Sequence, residues 1–208
     1  AECAPAERPD GYCPETLDPA GSILGDEQEA WLLDGLSRST TRWNVLGNQF
    51  AFTQRDGDNR PEPPEERSLG GGWDRYVAGR QAILDHVRTR DIRNLVIVTG
   101  DSPRNWVLDT PRDHRTWDAD VPPVCTEFMV TSVTSGGERD PNPRYDPQRS
   151  TPHLHYRDES HGYALVTVTP GSWRTDYRAV STIWAPTSTV STISSWTVLP
   201  DRPGALRA

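Results

Sequence analysis

Leu95-Val96-Ile97-Val98-Thr99-Gly100-Asp101 is the stretch on which the reading of this chain turns. Four consecutive apolar residues predict a short strand buried on both faces, the usual state of a strand inside an α/β sheet. Gly100 lets the backbone turn sharply. Asp101 is then left at the carboxyl end of the strand, where open α/β sheets place ligands. A carboxylate there meets a hard cation, or else caps the turn. Ser102 and Pro103 follow, and a proline can neither bind a metal nor move a proton.

Around this strand the pattern predicts two helices. Residues 26–37 form the first, with Gly25 or Asp26 as its cap, Glu27 and Glu29 in its first turn, and Trp31, Leu32 and Leu36 on its apolar face. Residues 74–90 form the second, in which Tyr76, Ile83 and Val87 recur at helical spacing with Val77 and Leu84 beside them. Trp43-Asn44-Val45-Leu46 reads as a strand that ends in the turn Gly47-Asn48-Gln49-Phe50. Residues 54–72 and 109–123 read as polar loops, 125–132 as a strand, and 138–161 as irregular. Three strands close the chain at 163–169, 173–180 and 193–199, the second with Trp173, Thr175, Tyr177 and Ala179 in strict alternation. The economical architecture is a mixed α/β layer that ends in an antiparallel meander.

Composition narrows the class. The chain has 208 residues, of which 34% are hydrophobic, and 19 prolines and 16 glycines mark it as rich in loops. Eight tryptophans supply core area. The net charge of −8 argues against nonspecific nucleic-acid binding, which needs clustered cations, but a bound metal can still draw an anionic substrate. Every basic residue is arginine, as in a GC-rich genome, and arginine's planar fork suits phosphate. No apolar run is long enough to span a membrane. The chain starts Ala1-Glu2-Cys3, which reads as a mature product, a domain or a fragment. Cys3 and Cys13 sit in a Pro/Gly-rich arm over residues 1–25, and a disulfide between them would staple it in an oxidising compartment. Cys125 reads as a core thiol, and the three cysteines do not have zinc-site spacing.

The candidate site residues each carry an ordinary alternative. Arg104 lies close to Asp101 and either steers a phosphate or faces solvent. Asn48 is a neutral oxygen ligand, a donor to substrate, or a turn residue that satisfies local backbone. His153 and His155 alternate on an extended stretch, where two imidazoles on one face could share a transition metal or simply be solvated. Ser102 is a weak nucleophile candidate, because no histidine lies nearby in sequence. His86 and His114 read as structural or exposed, and residues 131–137 as a strand end and turn rather than a phosphate loop.

Taken in order, several segments resemble one family. They are Ile23-Leu24-Gly25 with Glu27-Gln28 and Trp31-Leu32; Val45-Leu46-Gly47-Asn48-Gln49; Trp73-Asp74-Arg75-Tyr76 with Arg80; and Val98-Thr99-Gly100-Asp101. Then follow Thr126-Glu127-Phe128 with Thr131 to Gly137; Pro152-His153; Gly162-Tyr163; and Val168-Thr169-Pro170 with Trp173 and Asp176-Tyr177-Arg178. Together they resemble the C-terminal half of PhoD-like alkaline phosphatases, over nearly the whole chain.

The resemblance implies the C-terminal half of a metallophosphoesterase-type α/β sandwich over residues 26–208, secretion, a site holding calcium and iron, and hydrolysis of phosphate mono- and diesters. It makes Asp101 a metal ligand and matches Cys3 and Cys13 to a cysteine pair of secreted members; on a catalytic reading Arg104, Asn48 and His153 orient substrate. Pro103 departs from it, standing where the family motif Gly-Asp-Val-His ends in histidine. The family's N-terminal half, with most of its metal ligands, has no counterpart here. Two readings follow. The chain either works beside a separate N-terminal half, or is a diverged remnant that binds or scaffolds and covers its open sheet as a homodimer.

Overall fold

The computed structural model describes residues 12–55, 71–114, 117–135, 148 and 151–208. Cys3, most of the segment read as a mobile loop, and Gly136-Gly137 lie outside the described residues. In chain order the elements are α1 (Asp26–Arg38), β1 (Asn44–Asn48), α2 (Val77–Thr89), β2 (Leu95–Thr99), β3 (Asn105–Thr110), β4 (Cys125–Met129) and β5 (Leu154–Asp158). They continue with β6 (Gly162–Thr169), β7 (Ser172–Val180), β8 (Val190–Leu199) and β9 (Arg202–Arg207).

Two sheets result. The first has the order β1-β2-β4-β3-β5, with β1, β2 and β4 parallel and β3 antiparallel to both its neighbours. The second is the antiparallel meander β6-β7-β8-β9. Alternate side chains of the first sheet serve two cores, as a strand buried on both faces requires. On one face Leu95, Ile97 and Cys125 pack with Ile83, Leu84 and Val87 of α2, and Leu32, Leu33 and Leu36 of α1 join them. Trp106, Leu108, Met129 and Leu154 continue that face. On the other face Val96, Val107 and Phe128 meet Trp173, Tyr177, Trp196 and Val198 of the second sheet. The layers therefore run helices, mixed sheet, antiparallel sheet, an α/β sandwich of the expected kind.

The aromatic layer between the sheets holds them in register. Tyr177 is fully buried, and its hydroxyl donates to the Trp106 carbonyl at 2.7 Å. Burial pushes that phenol well above its ordinary pKa, so it stays a donor. At one end, Trp43 packs on Trp173 with ring centroids 6.1 Å apart, and its indole N–H donates to the Thr169 carbonyl at 2.7 Å. This ties the start of β1 to the β6–β7 turn. The far edge strand β9 lies instead over β3 and β4, where the Ala205 N–H donates to Asp109. The outer edges of β1 and β6 have no strand partner among the described residues, and the two strands meet where Trp43 reaches Thr169.

The structure adds three strands to the expected set. Residues 105–110, of which 105–108 fall in no expected element and 109–110 in an expected polar loop, form β3, buried along its whole length. Residues 154–158, expected to be irregular, form β5, and 202–207 form β9. The second helix starts at Val77 rather than Asp74, because residues 72–75 make a 3-10 turn that points Asp74 inward to Arg80. Gly25 caps α1 with φ 76°, a left-handed conformation suited to glycine. Two tryptophans depart from the expected core role: Trp31 and Trp184 are exposed.

Cys125 is a free, fully buried thiol, as read from its strand. Burial first of all, with Glu127 and Asp109 nearby, pushes its pKa up to about 12, against a hydrogen bond with Thr110 that lowers it. Only the thiolate reacts with alkylating agents. At pH 8, iodoacetamide is therefore expected to leave Cys125 unmodified in the folded chain and to modify it in denaturant. Mass spectrometry of its peptide checks this, and fast labelling of the native protein would show that the strand opens.

Candidate active site

Parallel strands β1, β2 and β4 end side by side, and their carboxyl ends carry Asn48, Gly100-Asp101 and Thr131. This is the ligand end of an open α/β sheet. Asp101 has φ 56°, a conformation costly for most residues other than glycine, asparagine and aspartate. It is exposed, and its carboxylate makes no hydrogen bond or ion pair among the described residues. An exposed carboxylate at a strand end, with no partner among the described residues, is open to a ligand.

Asn48 is half-buried beside it. Its carboxamide oxygen accepts from Trp73 Nε1 at 3.1 Å, and its nitrogen donates to the Phe50 carbonyl. Both ends of the side chain are thus engaged by the loop after β1. Thr131 anchors the end of β4 through its N–H, which donates to Asn105 Oδ1 at 3.1 Å. Its hydroxyl is buried without a hydrogen-bond partner among the described residues. Asn105 also donates to the Ser160 carbonyl at 3.2 Å, so one carboxamide fixes β4 to the β5–β6 turn. Buried His161 in that turn meets the Ser135 carbonyl at 2.6 Å.

Arg104 lies in the same β2–β3 turn as Asp101, as expected, but its Nε donates to Glu159 Oε1 at 3.0 Å, and Arg157 shares that carboxylate. His153 is separated from the other three. Its carbonyl accepts from Asp109, four residues down β3 from Asn105, or roughly 13 Å along the strand. Its ring is buried between His114 and Trp117, and Nε2 meets the Gln54 carbonyl at 2.7 Å.

His155 does not share a site with His153. His153 lies in a turn, and the β3–β5 ladder slips between Val107 and Leu108, which breaks the expected alternation. His155 instead turns between the sheets, pairing with Asp109 at 2.7 Å and stacking on Trp196.

One buried group was not singled out as chemically distinct in the sequence. Glu127 has no exposed surface, and its carboxylate accepts from Phe52 N–H at 2.9 Å, Thr53 N–H at 2.7 Å and Thr99 Oγ1 at 2.6 Å. It pins the loop after β1, and so the loop that orients Asn48, to the sheet. A lone acid inside the apolar run Cys125-Thr126-Glu127-Phe128-Met129 was the available signal. Asn105 gave none, because pairing alone brings it to the rim, and Thr131 reads only as part of a strand end and turn.

Among the described residues no three carboxylate, histidine or cysteine side chains converge as a metal site. Asp101 alone does not fit calcium or iron, since hard cations take six or more ligands. Nor, among the described residues, is any helix long and apolar enough to cross a membrane.

A helix layer over a mixed sheet, packed on an antiparallel sheet and presenting an acidic strand end, defines an α/β sandwich. The sequence profile of the PhoD-like phosphatase family matches residues 4–177, and the chain belongs to that family. It is 31% identical over 193 residues to alkaline phosphatase D of Bacillus subtilis (strain 168), covering 91% of this chain and 32% of the relative. It is also similar to the solved structure of PhoD, with a TM-score of 0.81 and 28% identity over 93% of this chain and 37% of that one. The chain spans about a third of the length of these relatives.

Proposed function

We propose that this chain is the C-terminal portion of a metal-dependent hydrolase of phosphate mono- or diesters, and that it acts together with an N-terminal portion. The observation that carries this reading is Asp101, an exposed carboxylate with φ 56° at the end of a central parallel strand, in a chain of the PhoD-like phosphatase family. Asp101 would be one ligand of a calcium and iron site whose other ligands come from outside the described residues. Asn48, held by Trp73, and Arg104 would orient the ester. His153, buried behind the loop after β1, would act through Gln54 by keeping that loop in place. The edges of β1 and β6, without a strand partner among the described residues, would offer an N-terminal portion a surface to pair with. In keeping with the family resemblance we place the protein outside the cytoplasm, with residues 1–25 as an arm closed by Cys3 and Cys13 and residues 26–208 as part of the phosphatase domain.

A second reading has a specific observation behind it. Pro103 replaces a family histidine two residues after Asp101, and the Arg104 guanidinium is held by Glu159. On this reading the chain binds or scaffolds without catalysis.

The test is to coproduce the chain with the N-terminal part of alkaline phosphatase D that it does not match. Hydrolysis of bis(p-nitrophenyl) phosphate is then followed with and without calcium and iron. The expected result is metal-dependent turnover that Asp101→Asn lowers by about a hundredfold or more. An assembled pair that turns over equally well with Asp101→Asn sinks the catalytic reading, and an inert assembled pair favours the second.

A further inference from the structure

At the end of the sheet opposite Asp101 lies a groove of about 530 Å³, within the range of roughly 300–1,000 Å³ usual for small-molecule sites. It is lined at the amino end of β2 by Ile92 and Asn94, and at the amino end of β4 by Pro123 and Val124. Val87, at the end of α2, and Pro203, in β9, complete an apolar wall.

The charges around this wall do not cancel. Arg93 holds Asp91 at 2.7 Å and reaches Asp201 at 3.7 Å, and Arg42 holds Asp201 at 3.2 Å. Arg88 is spent on Asp85 at 3.1 Å. Both acids of the groove, Asp91 and Asp201, are therefore matched. Arg112 lines the same groove, and its guanidinium makes no ion pair or hydrogen bond among the described residues; only its carbonyl is engaged, by Gln81 at 2.9 Å. The groove therefore keeps one guanidinium without an acidic partner among the described residues, beside prolines and valines.

We infer that this groove binds a small organic anion, with its apolar body against Ile92, Pro123 and Val124 and its anionic head on Arg112. Arginine's planar fork accepts a carboxylate or a phosphoryl-type head in the same bidentate way, so the structure assigns the shared chemistry: an oxyanion on a compact apolar body. The groove is distinct from the Asp101 rim, since it lies at the opposite ends of the same strands. A ligand there contacts α2, β4 and the β8–β9 turn together, and it would stabilise the packing of both sheets by mass action.

The isotope-labelled chain is titrated with benzoate, with phenylphosphonate, and with benzyl alcohol as a neutral analogue, while the amides of Ile92, Asn94 and Val124 are followed by NMR. Saturable shifts are expected with at least one anion, at a Kd of about 1 mM or tighter, and the preferred anion identifies the head group. Arg112→Gln is expected to weaken binding about tenfold and Arg112→Lys less, while Asp101→Asn leaves it unchanged. Arg112 is exposed, so neither substitution should move the unfolding midpoint. Three results would each overturn the inference. One is no saturable shift with either anion; another is equal affinity in Arg112→Gln. The third is benzyl alcohol binding as tightly as the anions. Because the readout is binding, its failure leaves the phosphoesterase reading untouched, and the reverse also holds.

Discussion

Glu127→Ala is expected to destabilise the chain by about 3–5 kcal/mol, one of two large stability losses predicted for single side chains. The reasoning is a count of donors. Phe52 N–H, Thr53 N–H and the Thr99 hydroxyl all point at one carboxylate that has no exposed surface. Truncation leaves three donors in a dry interior, and each unsatisfied group costs about 1–3 kcal/mol. The loss of the buried carboxylate's own desolvation cost offsets part of the sum, which is why the expected total is not larger. Glu127→Gln separates charge from acceptance. Its oxygen can still serve Phe52 and Thr99, but its amide nitrogen faces the Thr53 N–H, donor against donor, so about half the loss is expected. Urea unfolding at constant m-value measures both. A shift below about 1 kcal/mol for Glu127→Ala would mean that the loop after β1 is held by something else.

Arg80→Met is the second large effect, again about 3–5 kcal/mol. Arg80 is 1% exposed and its Nη1 donates to Asp74 at 2.6 Å and to the Phe52 carbonyl at 3.1 Å, while Nη2 donates to Gln54 at 3.2 Å. Gln54 in turn accepts from the Tyr12 hydroxyl at 2.6 Å. Methionine fills much of the volume but leaves the Asp74 carboxylate buried without its guanidinium. The double variant Arg80→Met with Asp74→Leu is expected to regain a good part of the loss, because buried ion pairs replaced by apolar residues are often close to neutral. The coupling energy from the four unfolding curves decides the matter. Additive losses would show that the pair does not act as a unit.

These two networks explain why part of the molecule was legible and part was not. The strand Leu95–Thr99 announced itself because a double-faced apolar run has few alternatives, and β7 did so through alternation. Strand β3 gave no such signal. Its polar Asn105, Asp109 and Thr110 are buried because other chain segments satisfy them: Thr131 and Ser160 for Asn105, Thr126 and Ala205 for Asp109, Thr53 for Thr110. None of those partners is adjacent in sequence. Strand β9 was hidden by Pro203, which an edge strand tolerates and a central one does not.

The site divides in the same way. Asp101 was readable from a local fact, a glycine turn after a buried strand. The separation of His153 from the rim was not, because it depends on how β5 pairs with β3. A slip in that pairing also turns His155 and Tyr156 toward the second sheet, where Tyr156 meets Tyr177 and Trp196. Trp31 and Trp184 show the limit of composition: a count of tryptophans does not say which of them meet the core.

The stitch from Trp43 to Thr169 joins the start of β1 to the end of β6, two strands whose outer edges have no partner among the described residues. Val45 on β1 and Tyr163 and Leu165 on β6 are exposed along them. A surface of this kind makes the measured stability of the chain depend on its company. Whatever pairs with both edges removes folded protein from the unfolding equilibrium, so the midpoint should climb with the concentration of that partner. Dilute and concentrated samples of the same chain would then melt at different temperatures if the partner is a second copy, and at the same temperature if it is another polypeptide that is absent from the tube.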